Sequence, residues 1–162
     1  MSPLEVIAAK RAHLARLANQ AGAAGEVAAL DAMANWIPRP RGRELKELLL
    51  ALEESGVVVK GSSFDAIAMP RHIDLGDPAA VRAALPEMVF IEIKSANQAR
   101  TKAGFTGFFF ALTESEIAAA EVLKTRHKVA LYNKLTGELL MTSIPEILAR
   151  AKSMTWQLSV QL

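Results

Sequence analysis

Apolar residues change their period at Gly56, and that change restricts the chain to folds that combine helices with a sheet. Before it, Leu4, Ile7, Leu14 and Leu17 recur at helical spacing up to Gly22. Ser2, Pro3 and Glu5 open this first helix as a capping box with proline at the first helical position. A second helix is expected to begin near Gly25, with Val27, Leu30 and Ala34 on one side. It should end in "WIPRPRGR", where Pro38 and Pro40 stop it. A third runs from about Arg43 to Ser55, with Leu45, Leu48, Leu49 and Leu52 on its buried stripe and Gly56 as its stop.

Beyond Gly56 the runs are short and β-rich. "VVVK" and "SFDAIAMP" read as strands separated by the turn residues "GSS". A polar segment, "RHIDLGDPAAVRAALPE", leads into the strand "MVFIEIK", and "GFFFAL" reads as a further strand. Thr113 and Glu116 form a capping box for the helix "ESEIAAAEVLK". "KVALY" and "ELLMT" are strands joined at Thr136 and Gly137, and Ser143, Pro145 and Glu146 open a short helix. In the tail, Trp156, Leu158, Val160 and Leu162 alternate with Thr155, Gln157, Ser159 and Gln161, as a half-buried strand would. The order implies one mixed α/β domain over residues 1–162. It comprises an N-terminal helical extension (1–42), a core (43–142) and a C-terminal helix and strand (143–162).

Composition narrows the chemistry. About half of the 162 residues are apolar, an ordinary globular content. With 19 Lys plus Arg against 17 Asp plus Glu, the formal charge of +2 neither requires nor excludes a polyanionic partner. The absence of cysteine removes disulfides, thiolate catalysis and Cys-type zinc sites. His13, His72 and His127 are too scattered for an imidazole metal cluster. No apolar stretch approaches the ~20 residues that a membrane span needs. Charges in "MSPLEVIAAKRAH" stand where a signal peptide has its apolar region, so a cytoplasmic location is expected.

Two apolar runs carry acids that need a reason. Asp65 stands among Phe64, Ala66, Ile67 and Ala68, although aspartate is a poor strand former. In "MVFIEIKSANQAR", alternation sets Glu92 and Lys94 on one strand face and Val89, Ile91 and Ile93 on the other. A turn-end aspartate and a strand with one wet face account for these residues blandly. A shared site accounts for them differently, because a lone buried carboxylate is costly unless it is paired or holds a metal. Mg²⁺ takes oxygen ligands and is commonly held by one or two carboxylates plus substrate phosphates. It polarises a phosphoryl group and lowers the pKa of bound water. A lysine two residues from an acid can orient that water or offset charge growing on the phosphate.

With Asp65 in "SFDAIA" followed by "IEIK", the chain resembles the PD-(D/E)xK restriction-endonuclease-like nucleases over roughly residues 43–142. Phe64 stands where a proline often precedes the aspartate in that superfamily. Upstream, "ELLLALEESGVVVKGSS" is similar to the helix of its archaeal Holliday-junction-resolvase branch. Downstream, "FFFALTESEIAAAEVLKTRHKVALYN" resembles domains of the NO VEIN C-terminal type. The resemblance implies a central mixed sheet flanked by helices and a metal-dependent endonuclease hydrolysing phosphodiester bonds, most often in DNA. Restriction, repair and resolution of branched DNA are all open roles. It implies Asp65, Glu92 and the backbone carbonyl of Ile93 as ligands to Mg²⁺, with Mn²⁺ as a substitute. Lys94 would position the nucleophile, Glu47 would complete the site with Glu26 as the alternative, and no organic cofactor is involved. Many members act as homodimers.

Basic residues flank this set. Arg39, Arg41, Arg43 and Lys46 lie on one side, and Arg100 and Lys102 follow Lys94 on the other, so both runs are candidate DNA-backbone contacts. Two other readings stand beside the nuclease. One is a non-catalytic nucleic-acid-binding or assembly module that keeps the fold. The other is a helical interaction protein built on residues 1–55, which leaves Asp65, Glu92 and Lys94 without a role.

Overall fold

A computed structural model describes residues 2–5, 36–96, 100–155, 157, 158 and 160–162. The first two helices of the sequence reading fall almost wholly outside these residues, as do Glu26 and Gln98. The opening cap is present: Glu5 accepts from the Ser2 N–H at 2.6 Å, and the Ser2 hydroxyl accepts from the Glu5 N–H at 3.2 Å.

The described chain is a five-stranded mixed sheet flanked by helices. Its strands are β1 (Trp36–Pro38), β2 (Ala66–Ala68), β3 (Val89–Ala96), β4 (His127–Asn133) and β5 (Leu139–Thr142), side by side in that order. Neighbours are antiparallel except β3 and β4, which run parallel. A parallel pair needs a crossover, and α3 (Glu114–Leu123) supplies it. The other helices are α1 (Gly42–Glu54), α2 (Pro78–Ala84) and α4 (Ile144–Arg150). None of the described helices is long and apolar enough to cross a membrane.

One sheet face is roofed by helices. Leu48, Ala51 and Leu52 of α1, Val81 and Ala84 of α2, and Ala119 and Leu123 of α3 pack with Phe64, Ile67 and Phe90. Phe64 and Phe90 meet edge to face with ring centroids 5.1 Å apart. Farther along the same face, Ala96, Val129 and Leu131 pack with Phe105 and with Ile144 of α4. Ala66, Ile91, Ile93 and Ala130 form the core of the opposite face, with Leu4 and Trp36 against it.

Several local expectations are corrected. "WIP" is an edge strand and not the end of a helix, so the sheet reaches back into the stretch read as a helical extension. Pro38 is tolerated there because an edge strand can spare an N–H. "VVVK" finds no partner in the sheet, and Gly61–Ser63 forms a 3₁₀ turn that shortens the next strand to three residues. The polar segment hides α2, whose signal was legible: Asp77 accepts from the Ala79 N–H at 3.0 Å, and Pro78 stands at the first helical position.

"GFFFAL" is irregular because Gly104 and Gly107 take positive φ of 69° and 83°. A Cβ at Gly107 would lie 2.9 Å from the Arg100 carbonyl oxygen, so a side chain is excluded as well. Phe108 and Phe110 pack with the neighbouring core without pairing as strand. The described tail residues are not in a strand either, and Leu158, Val160 and Leu162 are exposed.

Candidate active site

Along the helix-roofed face, β3 presents Phe90, Glu92, Lys94 and Ala96 in turn. Phe90 belongs to the apolar cluster under α1 and α2, and Ala96 to the one under α4. Glu92 and Lys94 fill the gap between these clusters. Glu92 is 6 % exposed and the Lys94 side chain 16 %, so this is not a wet strand face.

Asp65 stands immediately before β2. It lies in a bend just ahead of the Ala66–Ile91 pair, near enough to β3 for its charge to act on Glu92. Two hydrogen bonds fasten it to β3. Its N–H donates to the Ile91 carbonyl at 2.8 Å, and its Oδ2 accepts from the Ile93 N–H at 2.9 Å. The poor strand former is thereby explained, since its side chain binds an N–H of the neighbouring strand that the short β2 leaves open. Arg39 braces the same segment. Its N–H donates to the Asp65 carbonyl at 2.9 Å, and its guanidinium donates to the carbonyls of Gly61 and Phe64 at 2.9 and 3.1 Å. One nitrogen of that guanidinium, Nη1, makes both of these contacts.

Lys94 lies between two carboxylates. Its Nζ is 3.2 Å from Glu92 Oε1 and 3.0 Å from Glu116 Oε1. Glu116 belongs to the capping box of α3, formed as the sequence indicates: its N–H donates to Thr113 Oγ1 at 3.2 Å, and its Oε2 accepts from the Thr113 N–H at 3.0 Å. The same carboxylate thus caps a helix and binds the lysine. Sequence reasoning caught the first role and missed the second. The two residues are 22 apart in sequence, and no spacing rule joins them.

Burial raises Glu92, and the nearby charge of Asp65 raises it further, to about 8 against a usual 4.5; Lys94 offsets only part of this. The Oε2 of Glu92 is buried and has no hydrogen-bond partner among the described residues. Burial alone would lower the Lys94 amine, but Glu92 and Glu116 outweigh it and hold Lys94 above its ordinary value. Next to Phe90 on β4, the buried His127 ring has its Nε2 3.4 Å from the Ser63 carbonyl oxygen, and burial lowers its pKa.

The remaining candidates are placed differently. Glu47 sits on α1, half-buried, and its charge acts on Arg82 of α2, which pairs with Glu54 at 2.7 Å. It is not among the charges acting on Glu92, whereas Glu116 is. Ile93 has its N–H bound by Asp65 and its side chain in the opposite core. Arg41 and Arg43 are exposed at the start of α1, and Arg100 and Lys102 are exposed beyond β3. No group of three or more Asp, Glu or His side chains among the described residues is arranged to hold a metal ion. The ligand set expected from the sequence is smaller, two carboxylates and a backbone carbonyl.

A pH dependence of stability follows. The folded Glu92 pKa lies above the unfolded value, so between about 4.5 and about 8 the folded chain retains a proton that the unfolded chain loses. Stability contributed by this group is therefore full below that window and falls as pH rises through it. Thermal melts of the metal-free protein should show Tm dropping across this range, with a flatter profile in Glu92→Gln. Parallel profiles would mean that Glu92 is solvated.

Comparison with protein-family models, curated proteins and solved structures finds no match to any of them.

Proposed function

We propose that the protein is a metal-dependent nuclease with a restriction-endonuclease-like core, acting on DNA. The observation that carries this reading is the closeness of two acids, Asp65 bound to the Ile93 N–H and Glu92 one residue away on β3, with Lys94 against Glu92 in a largely buried setting. Burying acids together is costly unless a cation or a proton compensates them. The unpartnered Glu92 Oε2 and the raised Glu92 pKa fit a carboxylate that would accept a divalent cation. The element order also supports the reading: a helix, the Asp65 strand, the Glu92 and Lys94 strand, a capped helix and a parallel strand.

Asp65, Glu92 and the Ile93 carbonyl would hold Mg²⁺ or Mn²⁺. When bound, such an ion neutralises phosphate charge and makes water a nucleophile near neutral pH. Asp65 is held in register by its bond to the Ile93 N–H, so it needs little reorganisation. Glu92 would serve as a ligand in its ionised form. Lys94 holds its ammonium beside Glu92, where it can orient the attacking water and screen the phosphate.

The test is nicking of supercoiled plasmid with Mg²⁺, with Mn²⁺ and with EDTA. Metal-dependent conversion to the open circle is expected. DNA binding without any nicking would favour the non-catalytic module. The DNA path has its own test in the exposed Arg100 and Lys102. Replacing both by alanine should flatten the slope of log affinity against log salt by about 1.8 on duplex DNA, at ~0.9 per phosphate contact. An unchanged slope would take DNA off this side of β3.

A further inference from the structure

We infer that Glu116 is the positioning residue for Lys94, a role that rests on the nuclease reading and is separate from its role as a helix cap. Both Glu116 oxygens are engaged. Oε2 accepts from the Thr113 N–H at 3.0 Å, which fixes the carboxylate plane, and Oε1 is 3.0 Å from Lys94 Nζ. Glu92 differs, with Oε1 3.2 Å from the same amine and Oε2 without a partner. One acid is saturated by the protein and the other is open, which divides their work. Glu92 faces the cation, and Glu116 holds the lysine.

Charge makes that division necessary. Glu92, if it also held a divalent cation with Asp65, would bind the Lys94 ammonium less firmly than it does at 3.2 Å. An amine held by Glu92 alone would then be displaced when the reaction needs it in place. Glu116, 5 % exposed at the first turn of α3, keeps it there. Attachment to α3 also makes the lysine's position depend on how that helix sits over β3.

Glutamine at the third helical position also completes a capping box. Glu116→Gln therefore keeps the cap and removes the charge, while Glu116→Ala removes both. Three readouts on the full chain decide the matter: melting temperature, Mn²⁺ affinity by calorimetry, and rate of plasmid nicking with Mn²⁺. For Glu116→Gln the Mn²⁺ affinity should stay close to the parent's and the melting temperature should fall less than in Glu116→Ala, while nicking falls roughly 10- to 100-fold, the usual effect of removing a group that orients a site residue. Nicking at the parental rate in Glu116→Gln would reduce Glu116 to a cap and overturn the inference, with the nuclease reading intact. Lost Mn²⁺ affinity would also overturn it, by making Glu116 a ligand. A parent protein that nicks under no metal condition would overturn the nuclease reading and this inference with it.

Discussion

Asp65→Asn and Glu92→Gln are each expected to slow plasmid nicking by at least ~100-fold, the scale on which loss of one preorganised electrostatic partner acts in an active site. Both substitutions are nearly isosteric. An asparagine can still accept from the Ile93 N–H through Oδ1, so the junction of β2 with β3 is retained. A glutamine at 92 keeps the shape between Phe90 and Lys94. What each removes is one negative charge from the pair that would hold the cation. DNA affinity should therefore hold or rise slightly, since a charge that repels phosphate has gone. The check is nicking rate together with fluorescence anisotropy on the same duplex. Asp65→Asn cutting at the parental rate would place the metal elsewhere.

Lys94→Ala is expected to destabilise the metal-free fold by about 3 kcal/mol at pH 8.5, because removing one partner of a buried ion pair leaves the other uncompensated. For a chain of 162 residues that is a Tm loss of roughly 10 °C. Here two acids lose their cation at once, Glu92 at 3.2 Å and Glu116 at 3.0 Å. The loss should shrink toward pH 5, where a protonated Glu92 no longer needs the ammonium. Thermal melts at both pH values measure it. A change below about 0.5 kcal/mol at pH 8.5, typical of an exposed pair, would show that water already solvates the lysine.

Alternation in β3 was legible to the residue, since Val89, Ile91 and Ile93 do take one face and Glu92 and Lys94 the other. What alternation could not show is that the polar face is the one roofed by helices. That depends on α3 crossing over to β4 and on apolar residues far along the chain filling the positions on either side. Capping residues were dependable because they act locally: Thr113 with Glu116, Ser143 with the Glu146 N–H, and Ser2 with Glu5 all formed. Strand readings based on apolar content alone were not. "VVVK" and "GFFFAL" are as β-prone as β5, but a strand exists only where a neighbour offers its hydrogen bonds. Trp36–Pro38 had such a neighbour in β2 and became a strand despite Pro38. Residue type alone singled out Asp65, Glu92 and Lys94, and the fold brings these three near one another. Glu116 joins them through tertiary packing alone, and the charge of Glu47 acts on Arg82 of α2.

Anomalous diffraction from crystals soaked in Mn²⁺ tests the central claim most directly. A single strong peak is expected within ~2.2 Å of a carboxylate oxygen from both Asp65 and Glu92. It should disappear in Asp65→Asn, with Lys94 still held by Glu116. A strong Mn²⁺ peak elsewhere in the molecule, or none between these two acids at a concentration that supports nicking, would contradict the account.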